Sequence, residues 1–209
     1  MKKKIWIYLS LLTIIITFAV SCGNRYIIKV SNMQPRLQYT GFSVARPPDT
    51  GWVALSYEQE GMTAMFRKEL PSKTHSAFVS IKLRKLDRPA TSLEDLVIID
   101  KESHVFNDTV RFKMVNFTQT PTTLQGQWCV NWTEQVIDRN PAIAPNTPLA
   151  ARAQGFRCIH PIHKSNQVVL DAEISERGLE EELDSLIIKE GEELLKSIVL
   201  ESAPGVPVK

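Results

Sequence analysis

The chain has 209 residues, 43% of them hydrophobic, with 25 lysines and arginines against 23 aspartates and glutamates. That length suits one domain with tails, and so balanced a charge leaves no electrostatic footprint for nucleic acid, which is set aside as a partner. Nine glycines leave little for a phosphate-cradling loop, and the Gly-x-x-x-x-Gly-Lys, Gly-x-Gly-x-x-Gly, Gly-x-Ser-x-Gly and His-Glu-x-x-His patterns are all missing.

Met1-Lys2-Lys3-Lys4 precedes an apolar run from Ile5 to Val20, interrupted by Ser10 and Thr13, as in a secretory signal. The run is shorter than the ~20 residues that a stable spanning helix wants. The segment Phe18-Ala19-Val20-Ser21-Cys22 resembles the lipobox of bacterial lipoproteins, with Ala19 where that pattern usually carries Leu. The resemblance implies that residues 1–21 are a cleaved signal peptide, that Cys22 receives a diacylglyceryl group, and that the new N-terminus is acylated. Gly23 after the cysteine resembles the outer-membrane sorting pattern, which implies a lipid-anchored protein of the cell envelope facing the periplasm. An ordinary cleaved signal and an uncleaved helical anchor are the alternatives. Losing the leader removes three lysines and no acid, leaving 22 basic and 23 acidic residues. The mature chain is near neutral.

Residues 22–40 read as a tether of ~18 residues, long enough to reach ~60 Å when extended. A single domain is expected over 41–200 and a loose tail over 201–209. After the turn signal Pro47-Pro48-Asp49-Thr50-Gly51, the segments Trp52 to Tyr57 and Met62 to Lys68 read as a hairpin around Glu58–Gly61. Ala77 to Leu83 alternates as a strand, with Ala77, Val79, Ile81 and Leu83 on one face and Phe78 the exception. Thr91-Ser92-Leu93-Glu94 is a capping-box pattern opening a helix that fades near His104. Strands then follow at Val110 to Phe117, Gly126 to Asp138, Arg152 to His160 and Val168 to Ile174. A closing helix is expected from about Leu179 to Val199, with Gly191 its weak point, costing ~1 kcal/mol against Ala if exposed.

With Cys22 committed to lipid, Cys129 and Cys158 remain in an oxidising compartment, where an even number reads as a disulfide. A hairpin register that sets 129 opposite 158 centres the turn near residues 143–144, inside Asn140-Pro141-Ala142-Ile143-Ala144-Pro145-Asn146. It also sets Trp132 opposite Gly155. A redox pair or a metal site is the alternative, against which stands the lack of Cys-x-x-Cys spacing.

These elements make an α+β domain: an antiparallel sheet of about seven strands flanked by a mid-chain helix and a C-terminal helix. From about Gly41 to Val199 that order resembles the PsbP-like fold, an α/β/α sandwich found in a photosystem II extrinsic subunit, a Ran-binding import factor and bacterial envelope lipoproteins. The resemblance implies a binding or assembly-assisting module without a shared catalytic constellation, and it carries over no functional residue.

Candidate chemistry is sparse. Cys158-Ile159-His160-Pro161-Ile162-His163 places three soft ligands together, yet the disulfide consumes one, and His160 with His163 are too few for a structural metal site. No cofactor is expected. Trp128 and Trp132 either form core under a helix or line a groove for a small ligand. The loop from Arg139 to Ala150, proline-rich and long for a hairpin, is the preferred contact for an envelope protein. Three functions follow in order: a non-enzymatic binding or assembly module, a small-ligand carrier or sensor, and a hydrolase. The last would need a buried His–carboxylate pair beside an exposed Ser or Cys.

Overall fold

A computed structural model describes residues 27–55, 63–105, 108–162 and 165–201. The leader, Cys22, the turn at Glu58–Gly61, His163 and the tail from Ser202 onward lie outside the described residues.

Eleven strands are described: β1 Ile27–Lys29, β2 Arg36–Tyr39, β3 Phe42–Ala45, β4 Trp52–Leu55, β5 Thr63–Lys68, β6 Ser76–Lys85, β7 Phe112–Leu124, β8 Gln127–Asp138, β9 Leu149–Ile159, β10 Val168–Gly178 and β11 Val199–Leu200. Two α-helices join them, α1 Leu93–Ser103 and α2 Ser185–Lys196. Eight strands form one antiparallel sheet in the order β1-β4-β5-β6-β10-β9-β8-β7, and β11-β3-β2 form a small second sheet.

The two faces of the large sheet bury different partners. On one, Ala77, Val79, Ile81, Leu170, Ala172 and Ile174 pack against Ile187, Leu194 and Leu195 of α2 and against Phe42 and Val44 of the small sheet. On the other, Val130, Ile159 and Val169 pack against Leu86, Ala90 and Leu96, with Trp128, Val97 and Ile99 at the margin. Because side chains alternate along a strand, the same strands feed both cores.

Several expectations shift. Residues 27–40, read as tether, belong to the fold: β1 pairs with β4, β2 pairs with β3, and Val30 is fully buried. Paired structure is therefore already present at Ile27, ahead of Gly41. The cap of α1 sits one residue later than the pattern suggested: Ser92 accepts from the Asp95 N–H, and the Asp95 carboxylate accepts from the Thr91 N–H. β7 runs on through Pro121, which is tolerated because this is an edge strand and a proline lacks only a ladder donor. Gln125 and Gly126, with φ of 52° and 78°, then turn the chain tightly into β8. The acids Glu180–Glu182 form a 3-10 turn, and α2 starts later, capped by Asp184.

Cys129 and Cys158 form a disulfide across β8 and β9, 29 residues apart in sequence. The register sets Cys129 opposite Cys158 and Trp132 opposite Gly155.

A charged recess beyond the first helix

α1 covers only one end of its face of the sheet. The paired registers of β6, β10, β9, β8 and β7 lay out what continues beyond it, row by row. Lys82, Asp171, Arg157 and Val130 form the row beneath the end of the helix. Ser80, Glu173, Gly155, Trp132 and Gln119 follow. Next come Phe78, Ser175, Ala153, Glu134 and Phe117, and then Ser76, Arg177, Ala151, Val136 and Met114. Lys82, Asp171, Arg157, Glu173 and Trp132 of the first two rows line a cavity of about 370 Å³, walled by Ser103, His104 and Val105. A second, largely apolar cavity of about 360 Å³ continues from Glu134 across Phe78, Ala151, Ala153, Val136 and Phe112.

A buried ion network separates helix core from recess. Arg157 stands 3.1 Å from Asp100 of α1 and 2.6 Å from Asp171, and donates to the Ser103 hydroxyl at 3.0 Å. Arg84 also pairs with Asp171, and Gln119 donates to Asp100. A charge this deep persists only when paired and hydrogen-bonded on several sides. His104, the residue that ends α1, lies between Asp100 at 3.6 Å and Glu134 at 3.0 Å, with its ring against Trp132 and Phe117. Burial alone would lower its pKa, but the carboxylates of Asp100 and of Glu134, to which the ring is hydrogen-bonded, outweigh that and lift it to about 9. At neutral pH this ring is an imidazolium. Burial raises the Glu173 pKa, opposed by Lys82.

The residues picked from sequence fall elsewhere or divide. Trp128 packs under α1, whereas Trp132 walls the recess while only 6% exposed. His160 is fully buried, its Nε2 2.7 Å from the Gly41 carbonyl, which it faces as a donor, and its Nδ1 accepting from the Ile162 N–H. Both ring nitrogens are thus spent on backbone, and His160 is a structural corner rather than a ligand. The loop expected from Arg139 to Ala150 ends at Pro148, since Leu149 and Ala150 already pair in β9; it is turned by Ala144 N–H to Pro141 and Thr147 N–H to Ala144, with Pro141 buried and Ile143 exposed. Among the described residues two histidines meet carboxylates, His104 with Asp100 and Glu134, and His75 with Glu176 at 2.8 Å. Ser103 beside the first donates to the Asp100 carbonyl and accepts from Arg157, so its hydroxyl is not addressed by the imidazole.

Sequence reasoning passed over His104, Arg157, Asp171 and Glu173. The available signal was period-two charge in β10, where Asp171, Glu173 and Arg177 alternate with Leu170, Ala172 and Ile174. Phe78, the exception in β6, marked the same face.

On the α2 side a groove of about 420 Å³ runs between β7–β9 and the helix, past Leu124, Phe156, Leu195 and the disulfide. Among the described residues no helix is long and apolar enough to cross a membrane.

No family model matches the chain, and no curated protein matches its sequence. Among solved structures it is similar to cyanobacterial PsbP (CyanoP) from Synechocystis sp. PCC 6803, at 13% identity and TM-score 0.43, over 87% of this chain and 98% of that one. It is similar to a mutant of protein Mog1 at 11% identity and TM-score 0.47, over 85% and 96%. It is also similar to the Saccharomyces cerevisiae Ran-binding protein Mog1p at 12% identity and TM-score 0.46, over 79% and 94%. Likeness of this kind carries no site residue across.

Proposed function

We propose that this chain is a non-enzymatic binding module of the cell envelope, lipid-anchored through Cys22 at the outer membrane and facing the periplasm, with a protein partner seated over the recess beyond α1. The carrying observation is the sheet face itself: an eight-stranded sheet covered at one end, whose open part joins a charged floor to an apolar patch. Val105, 70% exposed, stands at its margin, and Val110, 83% exposed, lies just before β7. Contiguous exposed apolar surface rimmed by polar groups is typical of interaction sites. The loop from Arg139 to Pro148, with Ile143 exposed, is a second point of contact in this reading.

The test is a photoreactive side chain placed at Val105 or Ile143 in intact cells, followed by identification of what is captured. One specific envelope protein at Val105, lost when Ala153→Arg fills the recess, is the expected result. Capture that is indifferent to Ala153→Arg in a folded protein removes the recess from the interface. The groove beside α2 favours a second reading, a small apolar ligand held near Phe156 and Leu195. Native mass spectrometry of the purified protein would then show a bound molecule.

A further inference from the structure

We propose that the β1 edge of the large sheet is the membrane-facing surface of the anchored protein, seated on a headgroup layer that contains anionic lipid. The proposal rests on the reading of Cys22 as lipidated and adds to it an orientation and a lipid class.

Chain length comes first. β1 opens at Ile27, so only Gly23, Asn24, Arg25 and Tyr26 separate it from Cys22. Five residue steps reach at most about 18 Å even when fully extended. The opposite edge, β7, lies seven strand spacings away in the sheet order, about 34 Å at the usual spacing. A lipid on Cys22 therefore keeps β1 within about 18 Å of the anchor; with β1 seated on the bilayer, β7 and β8, with the recess, lie on the far side.

The side chains of β1 suit that position. Ile27 and Ile28 are 51% and 39% exposed, and as neighbours in a strand they point to opposite faces of the edge. Free edges in soluble proteins are usually blunted with charge; this one offers isoleucine to both sides.

Charge supplies the third observation. Between Cys22 and Asp49 the chain holds Arg25, Lys29, Arg36 and Arg46 and no acid at all, although the mature chain as a whole is near neutral. Lys29 is exposed on β1. Arg36 donates to the Ser43 hydroxyl and the Ser197 carbonyl, and Arg46 to the Ser31 and Met33 carbonyls. Arg46 is thereby fixed just beyond β1, and both arginines are held by neutral acceptors rather than by a carboxylate. Basic groups beside apolar side chains, next to an acyl anchor, are the combination that adds a second membrane signal to the lipid.

The experiment uses the full chain purified from membranes and placed in vesicles of phosphatidylethanolamine with phosphatidylglycerol. A spin label is attached at Ile28→Cys or, on the far edge, at Thr118→Cys, with the native disulfide intact. Intact-mass measurement of the mature N-terminus is made on the same samples. The expected result is an acylated Cys22, with relaxation by lipid-dissolved oxygen several-fold stronger at position 28 than at 118. Replacing phosphatidylglycerol by phosphatidylcholine should weaken it at 28 alone. An unmodified Cys22 overturns the anchor itself. An acylated Cys22 with equal relaxation at both positions overturns the orientation and leaves the anchor standing. A signal at 28 that ignores the change of lipid overturns the anionic-lipid part.

Discussion

His104 ends α1 with a cost and a compensation. Its side chain is 12% exposed and would lose its charge to burial, yet Asp100 and Glu134 hold the proton and lift the pKa from the ordinary 6.5 to about 9. A group whose pKa is higher in the folded state stabilises the fold fully below the unfolded value, and that contribution is lost as pH rises through the folded value. Urea unfolding followed from pH 6 to pH 10 should therefore show stability falling across roughly pH 6.5–9, by up to about 3 kcal/mol from this residue. His104→Gln should start lower and lose that slope; an equally steep profile in the variant would assign the dependence elsewhere. The chemistry around this ring was hidden in sequence because its partners come from three elements: Asp100 from the helix, Glu134 from β8 and, one pair further, Arg157 from β9. Each is an ordinary polar residue until the sheet register puts them side by side.

Among the elements, α2 shows where helix propensity and packing point in opposite directions. Gly191 reads as a weakness in a helix, and on propensity alone alanine would gain ~1 kcal/mol. In the fold Gly191 is buried and faces Ile174 of β10, and a Cβ there would lie 2.5–2.7 Å from Ile174 side-chain atoms. The glycine is what lets α2 lie close on the sheet. Gly191→Ala should then destabilise, by about 1–3 kcal/mol as overpacking does, and combining it with Ile174→Ala should cost less than the two single changes added. Denaturation midpoints of the three variants decide it, and a stabilised Gly191→Ala would show the contact relaxing freely. Sequence placed this helix, α1 and strands β4 to β6 and β8 to β10 because each carries a strong apolar period. It missed the second half of β7 because Pro121 reads as a strand breaker, and only the topology reveals an edge where proline costs little.

At the scale of the whole molecule, the long hairpin β8–β9 was legible from one constraint, since a disulfide between Cys129 and Cys158 sets the register of every residue between them. The N-terminal boundary had no such constraint. β1, β2 and the turn between them are short, polar in part and interrupted by Pro35, so nothing in their periodicity announces a strand; they gain structure from β4 and β3, which lie later in the chain. Their contribution is measurable. Val30 is fully buried in the main core, Met33, Leu37 and Tyr39 pack against it, and Tyr39 stacks on Phe42 at 5.0 Å. Removing one fully buried aliphatic side chain from that core alone forfeits about 1.5–3 kcal/mol, and β3 would also lose one of its two partners in the small sheet. A chain beginning at Gly41 should accordingly unfold several kcal/mol more easily than one beginning at Gly23, with lower solubility from the uncovered core. One beginning at Ile27 should match the longer chain. Equal stability at all three starting points would return residues 27–40 to the status of a tether, and with it would go the short leash that sets β1 against the membrane.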